Sequence, residues 1–100
     1  MALKIRWSPL AASNLEEICR YISKDSEYYA ALFAKRIIKI IKDIPDSPEL
    51  GRIVPEYNEK NLRERIYENY RIVYRIKKDI IEIAAISHGS RLLKNVFKSG

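Results

Sequence analysis

Hydrophobic and polar positions alternate most strictly between residues 70 and 76. Tyr70, Ile72, Tyr74 and Ile76 fall on one face, and Arg71, Val73 and Arg75 on the other. A period of two carried by Tyr, Ile and Val predicts a half-buried strand. Residues 62–67 precede it as a second strand, and the pair reads as a hairpin turning at Glu68-Asn69, where Asn tolerates the left-handed backbone of a tight turn. A turn of two or four residues places Ile66 opposite Arg71, so that Leu62, Glu64 and Ile66 share a face with Arg71 and Arg75. An odd-length loop puts Arg63 and Arg65 there instead. In either register, one side of the hairpin carries arginines that an apolar core would not absorb. That sheet face is the first place to look for function.

The same reading places the remaining elements around the hairpin. Leu3, Ile5 and Trp7 alternate with Lys4 and Arg6, which predicts a first strand with Trp7 in the core. Ser8-Pro9 then opens a helix, since Ser caps well and Pro at the first helical position loses no hydrogen bond. Ala11, Leu15, Ile18, Cys19 and Ile22 form its apolar stripe. Asp25-Ser26 breaks the pattern and caps a second helix, with Phe33, Ile37, Ile40, Ile41 and Ile44 inward and Lys35, Arg36, Lys39 and Lys42 outward; Pro45 ends it. So short a connection predicts an antiparallel helix hairpin. The basic residues run along the second helix and a sheet follows, which argues against a helix-turn-helix DNA reader. Residues 46–61 form a polar connector whose segment 52–56 is either a short strand or a loop crossing the sheet. Residues 77–79 turn into a nearly continuous apolar run, 80–86, expected of a central strand covered on both faces. Leu92, Leu93, Val96 and Phe97 suggest a last helical turn or two. The order β-α-α-(β)-β-β-β-α describes an α+β domain: a small antiparallel sheet of three to five strands on an N-terminal helix hairpin, with a short C-terminal helix.

One hundred residues, 47% hydrophobic and 32% charged, suit a single folded domain spanning 1–100. The net charge of +6 favours an anionic partner such as nucleic acid, the ribosome or an acidic protein, against the plainer reading of a solvated basic surface. No apolar run approaches a membrane span, and residues 1–7 lack a signal-peptide core. Cys19, the single cysteine, excludes an internal disulfide and offers no metal cluster; a reducing cytoplasm and no cofactor are expected.

Four segments together resemble toxins of the RelE/ParE superfamily. They are Trp7-Ser8-Pro9 with Ala11 and Leu15-Glu16-Glu17-Ile18, then Gly51-Arg52 with Val54-Pro55-Glu56, then residues 70–76, and finally Ile86-Ser87-His88-Gly89-Ser90-Arg91. The match runs from Leu3 to about Phe97. It implies the toxin half of a type II toxin–antitoxin pair with a RelE-like fold, held inactive by a cognate antitoxin, and reaching operator DNA only through that antitoxin. RelE-like members cut mRNA on the ribosome without a metal, using the ribose 2′-hydroxyl. ParE-like members poison DNA gyrase and need no hydrolytic centre.

Which activity is implied depends on the surviving catalytic groups. The RNase needs a base, cations for the phosphorane and an acid. Laid alongside RelE, both of its arginines are matched, by Arg71 and Arg91. Its two lysine positions hold Leu62 and Glu64, and its tyrosine position holds Phe97. The incomplete set leans the reading toward ParE-like gyrase poisoning. The alternative is an mRNA endoribonuclease with Glu56 or Glu64 as base, His88 as acid and Arg71 and Arg91 on the phosphate; Pro55-Glu56 resembles the context of a carboxylate base in some relatives. A third reading is a degenerate toxin that binds only its antitoxin and operator. The candidate anion- or target-binding set is Arg63, Arg65, Arg71, Arg75 and Arg91, since an arginine fork matches phosphate or carboxylate. Each candidate has a plainer role: an ion pair with Arg71 or Arg75 for Glu64, a strand-end hydrogen bond for His88, and a salt bridge or antitoxin contact for Arg71 and Arg91.

Overall fold

Ser8 sets the N-terminal half of the fold. In the computed structural model, which describes residues 3–96, its backbone is extended and its hydroxyl accepts from the Ala11 N–H at 3.0 Å. The same hydroxyl donates to the Ala84 carbonyl at 2.9 Å, and the Ser8 N–H donates to the Ile83 carbonyl. One residue thus ends strand β1 (Lys4–Trp7), caps helix α1 (Pro9–Ser23) and fastens both to strand β5 (Ile80–His88). Ser26 caps α2 (Glu27–Asp43) in the same way, accepting from Tyr29 N–H at 3.0 Å. Two short 3₁₀ turns, Ile44–Asp46 and Pro48–Leu50, follow the helix. The chain continues through β2 (Arg52–Ile53), β3 (Leu62–Tyr67), β4 (Tyr70–Ile76) and β5 to α3 (Leu93–Val96). Phe97 lies outside the described residues.

The sheet order is β1-β5-β4-β3-β2. Strands β2 to β5 pair antiparallel as expected, but β1 joins β5 in parallel, so the five-stranded sheet is mixed. The parallel edge follows from α1 and α2 lying between β1 and the rest of the sheet in sequence: a helical crossover can return the chain in either sense. Segment 52–56 turns out to be both of its alternatives, a two-residue strand and then a turn.

Two apolar layers sandwich the sheet. On one side Ile72, Tyr74, Ile81, Ile83 and Ile86 pack with Ala11, Phe33, Ile37, Ile41 and Ile44 of the helical layer, and Trp7 packs against them. On the other, Val73, Ala84, Ala85 and Leu62 meet Val54 of the connector and Leu93 of α3. Strand β5 serves both layers through its alternating side chains, and an extra residue, Ala84, interrupts its register with β4 between Val73 and Tyr74. Tyr74 is fully buried, and its hydroxyl donates to the Pro48 carbonyl at 2.6 Å and accepts from the Gly51 N–H at 3.2 Å. Gly51 must be glycine here, since a Cβ would stand 2.3 Å from that hydroxyl oxygen and 2.8 Å from the Glu64 carbonyl.

The hairpin turn has two residues, with Tyr67 paired to Tyr70 and Ile66 to Arg71. Glu64 therefore shares a face with Arg71. The left-handed residue is Glu68, at φ 53°, rather than Asn69. The Tyr29 hydroxyl lies within hydrogen-bonding reach of both Glu68 carboxylate oxygens, at 3.0 and 3.2 Å, holding that carboxylate against α2.

Candidate functional site

Arg71 sits one residue into β4, on the face away from the helices, and is 5% exposed. The expectation that the core could not absorb the arginines of this face is wrong for Arg71, because two carboxylates meet it there. Its Nε donates to Glu64 Oε1 at 2.7 Å, and its Nη2 lies 2.6 Å from the same oxygen. The other edge of the guanidinium makes a two-pronged pair with Glu56, Nη1 to Oε2 and Nη2 to Oε1, both 2.7 Å. Glu64, whose side chain is wholly buried, uses its second oxygen to accept from Arg52 Nε. Two arginines and two glutamates thus close a neutral cluster. Desolvating such charges costs several kcal/mol per ion, and only near-ideal pairing with charge-assisted hydrogen bonds offsets it.

The cluster ties three segments together. Glu56 comes from the connector and also accepts from the Leu93 N–H at 3.3 Å, while Arg71 Nη1 reaches the Arg91 carbonyl at 3.5 Å. The connector and the start of α3 are thereby clamped over β3 and β4. The Arg71 pair holds the Glu56 carboxyl down at about 2, and the same hydrogen bonds raise Arg71 above its already high value. A carboxylate so weakly basic is a poor acceptor for a ribose proton near neutral pH.

His88 faces the other way. Tyr70 pairs with His88 and Arg71 with Ser87 across β4 and β5, so the pleat sends His88 to the helix side and Arg71 to the opposite side. The Tyr70 and His88 rings meet edge-on with centroids 5.6 Å apart. The Ser90 N–H donates to His88 Nδ1 at 3.3 Å, and the Ser90 hydroxyl lies 2.8 Å from it, which places the neutral ring's proton on Nε2. His88 and Arg91 line a 270 Å³ cleft between the end of β5 and α1, with Asn14, Glu17, Tyr21 and Tyr70 on its walls.

The family model for the ParE toxin of type II toxin–antitoxin systems matches residues 5–93. The chain belongs to the ParE toxin family. The toxin is 36% identical over 90 residues to Y4kP of Sinorhizobium fredii, which is named as a toxin, covering 85% of this chain and 86% of that one. Its fold is similar to a chain of the chromosomal ParDE system of P. aeruginosa (TM-score 0.72, 20% identity, 87% of this chain and 96% of that one). It is also similar to a chain of the toxin–antitoxin complex RelBE2 of Mycobacterium tuberculosis (TM-score 0.64, 15% identity, 88% and 99%).

Within this toxin the candidate residues fall into separate places. Glu56, Glu64 and Arg71 meet in the clamp, whereas His88 and Arg91 belong to the cleft. The five candidate arginines do not form one anion-binding surface. Arg63 lies on the face opposite Arg71 and is tied to the carbonyls of Lys60, Glu49 and Gly51, each at 3.0 Å. Arg65, also on that side, is half-buried. Arg75 shares the Arg71 face and stands 3.9 Å from Glu59 and Glu82. Two contributors escaped the sequence reading. Arg52 completes the clamp, and Asn14, an unremarkable polar residue in α1, accepts from the Ile86 N–H at 3.0 Å. Arg52 stands in the Gly51-Arg52 segment of the resemblance, but the role of each residue is set by a partner 12 or 72 residues away, which no local pattern shows. Among the described residues no group of acidic, His and Cys side chains could hold a metal ion, and no helix is long and apolar enough to cross a membrane.

Proposed function

We propose that this toxin arrests growth in the ParE manner, by binding DNA gyrase and trapping its cleaved-DNA state, and that a cognate antitoxin neutralises it in the cytoplasm and mediates its contact with operator DNA. The observation that carries the choice of target is the opposite facing of Arg71 and His88. A metal-independent RNase of the RelE kind needs its cations, base and acid around one phosphate. Here the Arg71 fork is occupied by Glu56 and Glu64, and the carboxylate bases are the residues that occupy it. The histidine is on the far side of the sheet. The lysine positions of RelE hold Leu62 and Glu64, both buried.

The endoribonuclease alternative has one favourable observation: His88 and Arg91 share a cleft with the Glu17 carboxylate, while Glu56 and Glu64, the expected bases, lie outside it. The test separates the two. The toxin is expressed briefly without antitoxin, and DNA and protein synthesis are followed by pulse labelling, with purified gyrase and plasmid DNA assayed in parallel for accumulated cleaved complex. DNA synthesis is expected to fall first, cleaved complex to accumulate, and His88→Ala to remain toxic. Translation collapsing first, with cleaved mRNA and a non-toxic but antitoxin-binding His88→Ala, would overturn the gyrase reading.

A further inference from the structure

Several cations of this toxin meet carboxylates, and those of helix α2 do not. Arg52 and Arg71 are held in the clamp, Arg20 pairs with Glu16, and Arg6, Arg75 and Lys77 gather around Glu82. Lys35, Arg36, Lys39 and Lys42 are all exposed, and none forms an ion pair among the described residues. No acidic residue lies between Glu27 and Asp43 to offset them along the helix. Lys35, Lys39 and Lys42 stand at i, i+4 and i+7, a single line about 10 Å long on the outer side of α2. Like charges at that spacing destabilise a helix, so the fold gains nothing from the row. Arg36 stands beside the line, and its Nη1 donates to the Tyr67 hydroxyl at 3.3 Å. That bond turns it toward β3, whose helix-side face also carries Arg65.

We propose that this row binds the phosphate backbone of duplex DNA, without reading its sequence and without the antitoxin. Lysine is a flexible point charge that meets phosphates and specifies no base. Helix α2 carries no Asn or Gln to reach a base edge. A duplex presents its charges already fixed, about one per 1.7 Å of axis, so binding orders only the cationic side chains. An acidic peptide would have to be ordered as well. Leu32 and Ile38 share the shallow depression between the lysines, but two apolar residues are too few anchors for an amphipathic acidic helix. No aromatic ring stands between Lys35 and Lys42 for the bases of a single strand to stack on. The choice of DNA over duplex RNA rests on the gyrase reading, in which the toxin acts beside cleaved DNA. The row then holds the duplex next to the enzyme, and operator recognition stays with the antitoxin.

The test is fluorescence anisotropy of a labelled mixed-sequence DNA duplex titrated with the antitoxin-free full chain, repeated from about 50 to about 200 mM salt. Four phosphate contacts give a slope of about −3.6 in log affinity against log salt, or roughly 100- to 200-fold weaker binding across that range. A duplex of scrambled sequence should bind equally well. Lys35→Gln, Lys39→Gln and Lys42→Gln combined, all at exposed positions, should bring the slope to about −1. Lys4→Gln, Lys24→Gln and Lys78→Gln combined remove the same charge from exposed positions elsewhere and should leave the slope unchanged. Unlabelled duplex DNA should displace the probe better than single-stranded DNA, duplex RNA or a polyglutamate peptide. No saturable binding at the lowest salt, a control variant as damaging as the row variant, or tighter binding of any of those three competitors would each overturn the inference. Gyrase is absent from this assay, so a negative result removes the row and not the gyrase reading, which the cleaved-complex assay decides on its own.

Discussion

Removing the Arg71 guanidinium should be among the most destabilising single changes available to this protein. In Arg71→Met the Glu64 carboxylate stays wholly buried, and its remaining cation is Arg52, whose side chain is 62% exposed. Breaking a buried pair from one side costs about 3–5 kcal/mol, because an uncompensated charge is left behind. Against a total of roughly 5–15 kcal/mol for a domain, that is about a fifth of the stability or more. At about 4–8 °C per kcal/mol for a domain of this size, it lowers Tm by roughly 12–40 °C. Much of the cost belongs to the stranded carboxylate rather than to the lost pair. The double variant Arg71→Met with Glu64→Leu should therefore recover to within about 1 kcal/mol of the parent, since well-packed apolar replacements of buried ion pairs are often neutral or better. Glu56 and Arg52, both at the surface, are resolvated in that variant. The assay is urea unfolding of the refolded, antitoxin-free toxin followed by circular dichroism, with the m-value compared across variants. An Arg71→Met change within 1 kcal/mol of the parent would refute the reasoning, because it would mean a guanidinium that the fold does not need. Such an arginine would be free for a phosphate, and the case against the RNase reading would weaken with it.

Three further outcomes follow from other parts of the structure. Glu56 titrates at about 2 when folded against an ordinary 4.5, so its pair adds stability that is present above about pH 4.5 and lost as pH falls toward 2. Its side chain keeps 23% of its accessibility, so screening cuts the nominal ~3 kcal/mol to about 1–2 kcal/mol. Glu56→Gln should lose about that much near neutral pH and show a flatter acid limb in stability against pH; parallel limbs would disprove the assignment. Gly51→Ala drives a methyl into the Tyr74 hydroxyl and the Glu64 carbonyl and should cost at least about 1–3 kcal/mol by thermal unfolding, with an unchanged Tm counting against the close approach. Ser8→Ala loses both the α1 cap and the bond to Ala84, an expected loss of about 1–2 kcal/mol, whereas Ser8→Thr should keep most of it in the same assay.

Local chemistry was enough to place the helices, the hairpin and the central strand. Ser8-Pro9 and Ser26 are capping signals that act within three residues, and the stripes on α1 and α2 express a period that any amphipathic helix must show. The alternation at 70–76 likewise defines two faces without reference to the rest of the chain. The family is legible for the same reason, since its motifs are short and in order. What covers each face is another matter. Whether Arg71 is a free cation or a locked one depends on Glu56, 15 residues away, and on the hairpin parity that brings Glu64 onto its face. Alternation says that Tyr70 and Arg71 point apart, but only the β4–β5 register places His88 with Tyr70. The parallel entry of β1 depends on where a helical crossover returns, which no residue of β1 encodes. Tertiary structure decided these points because a side chain's charge state and partners depend on what packs against it, and the packing partners lie far along the chain.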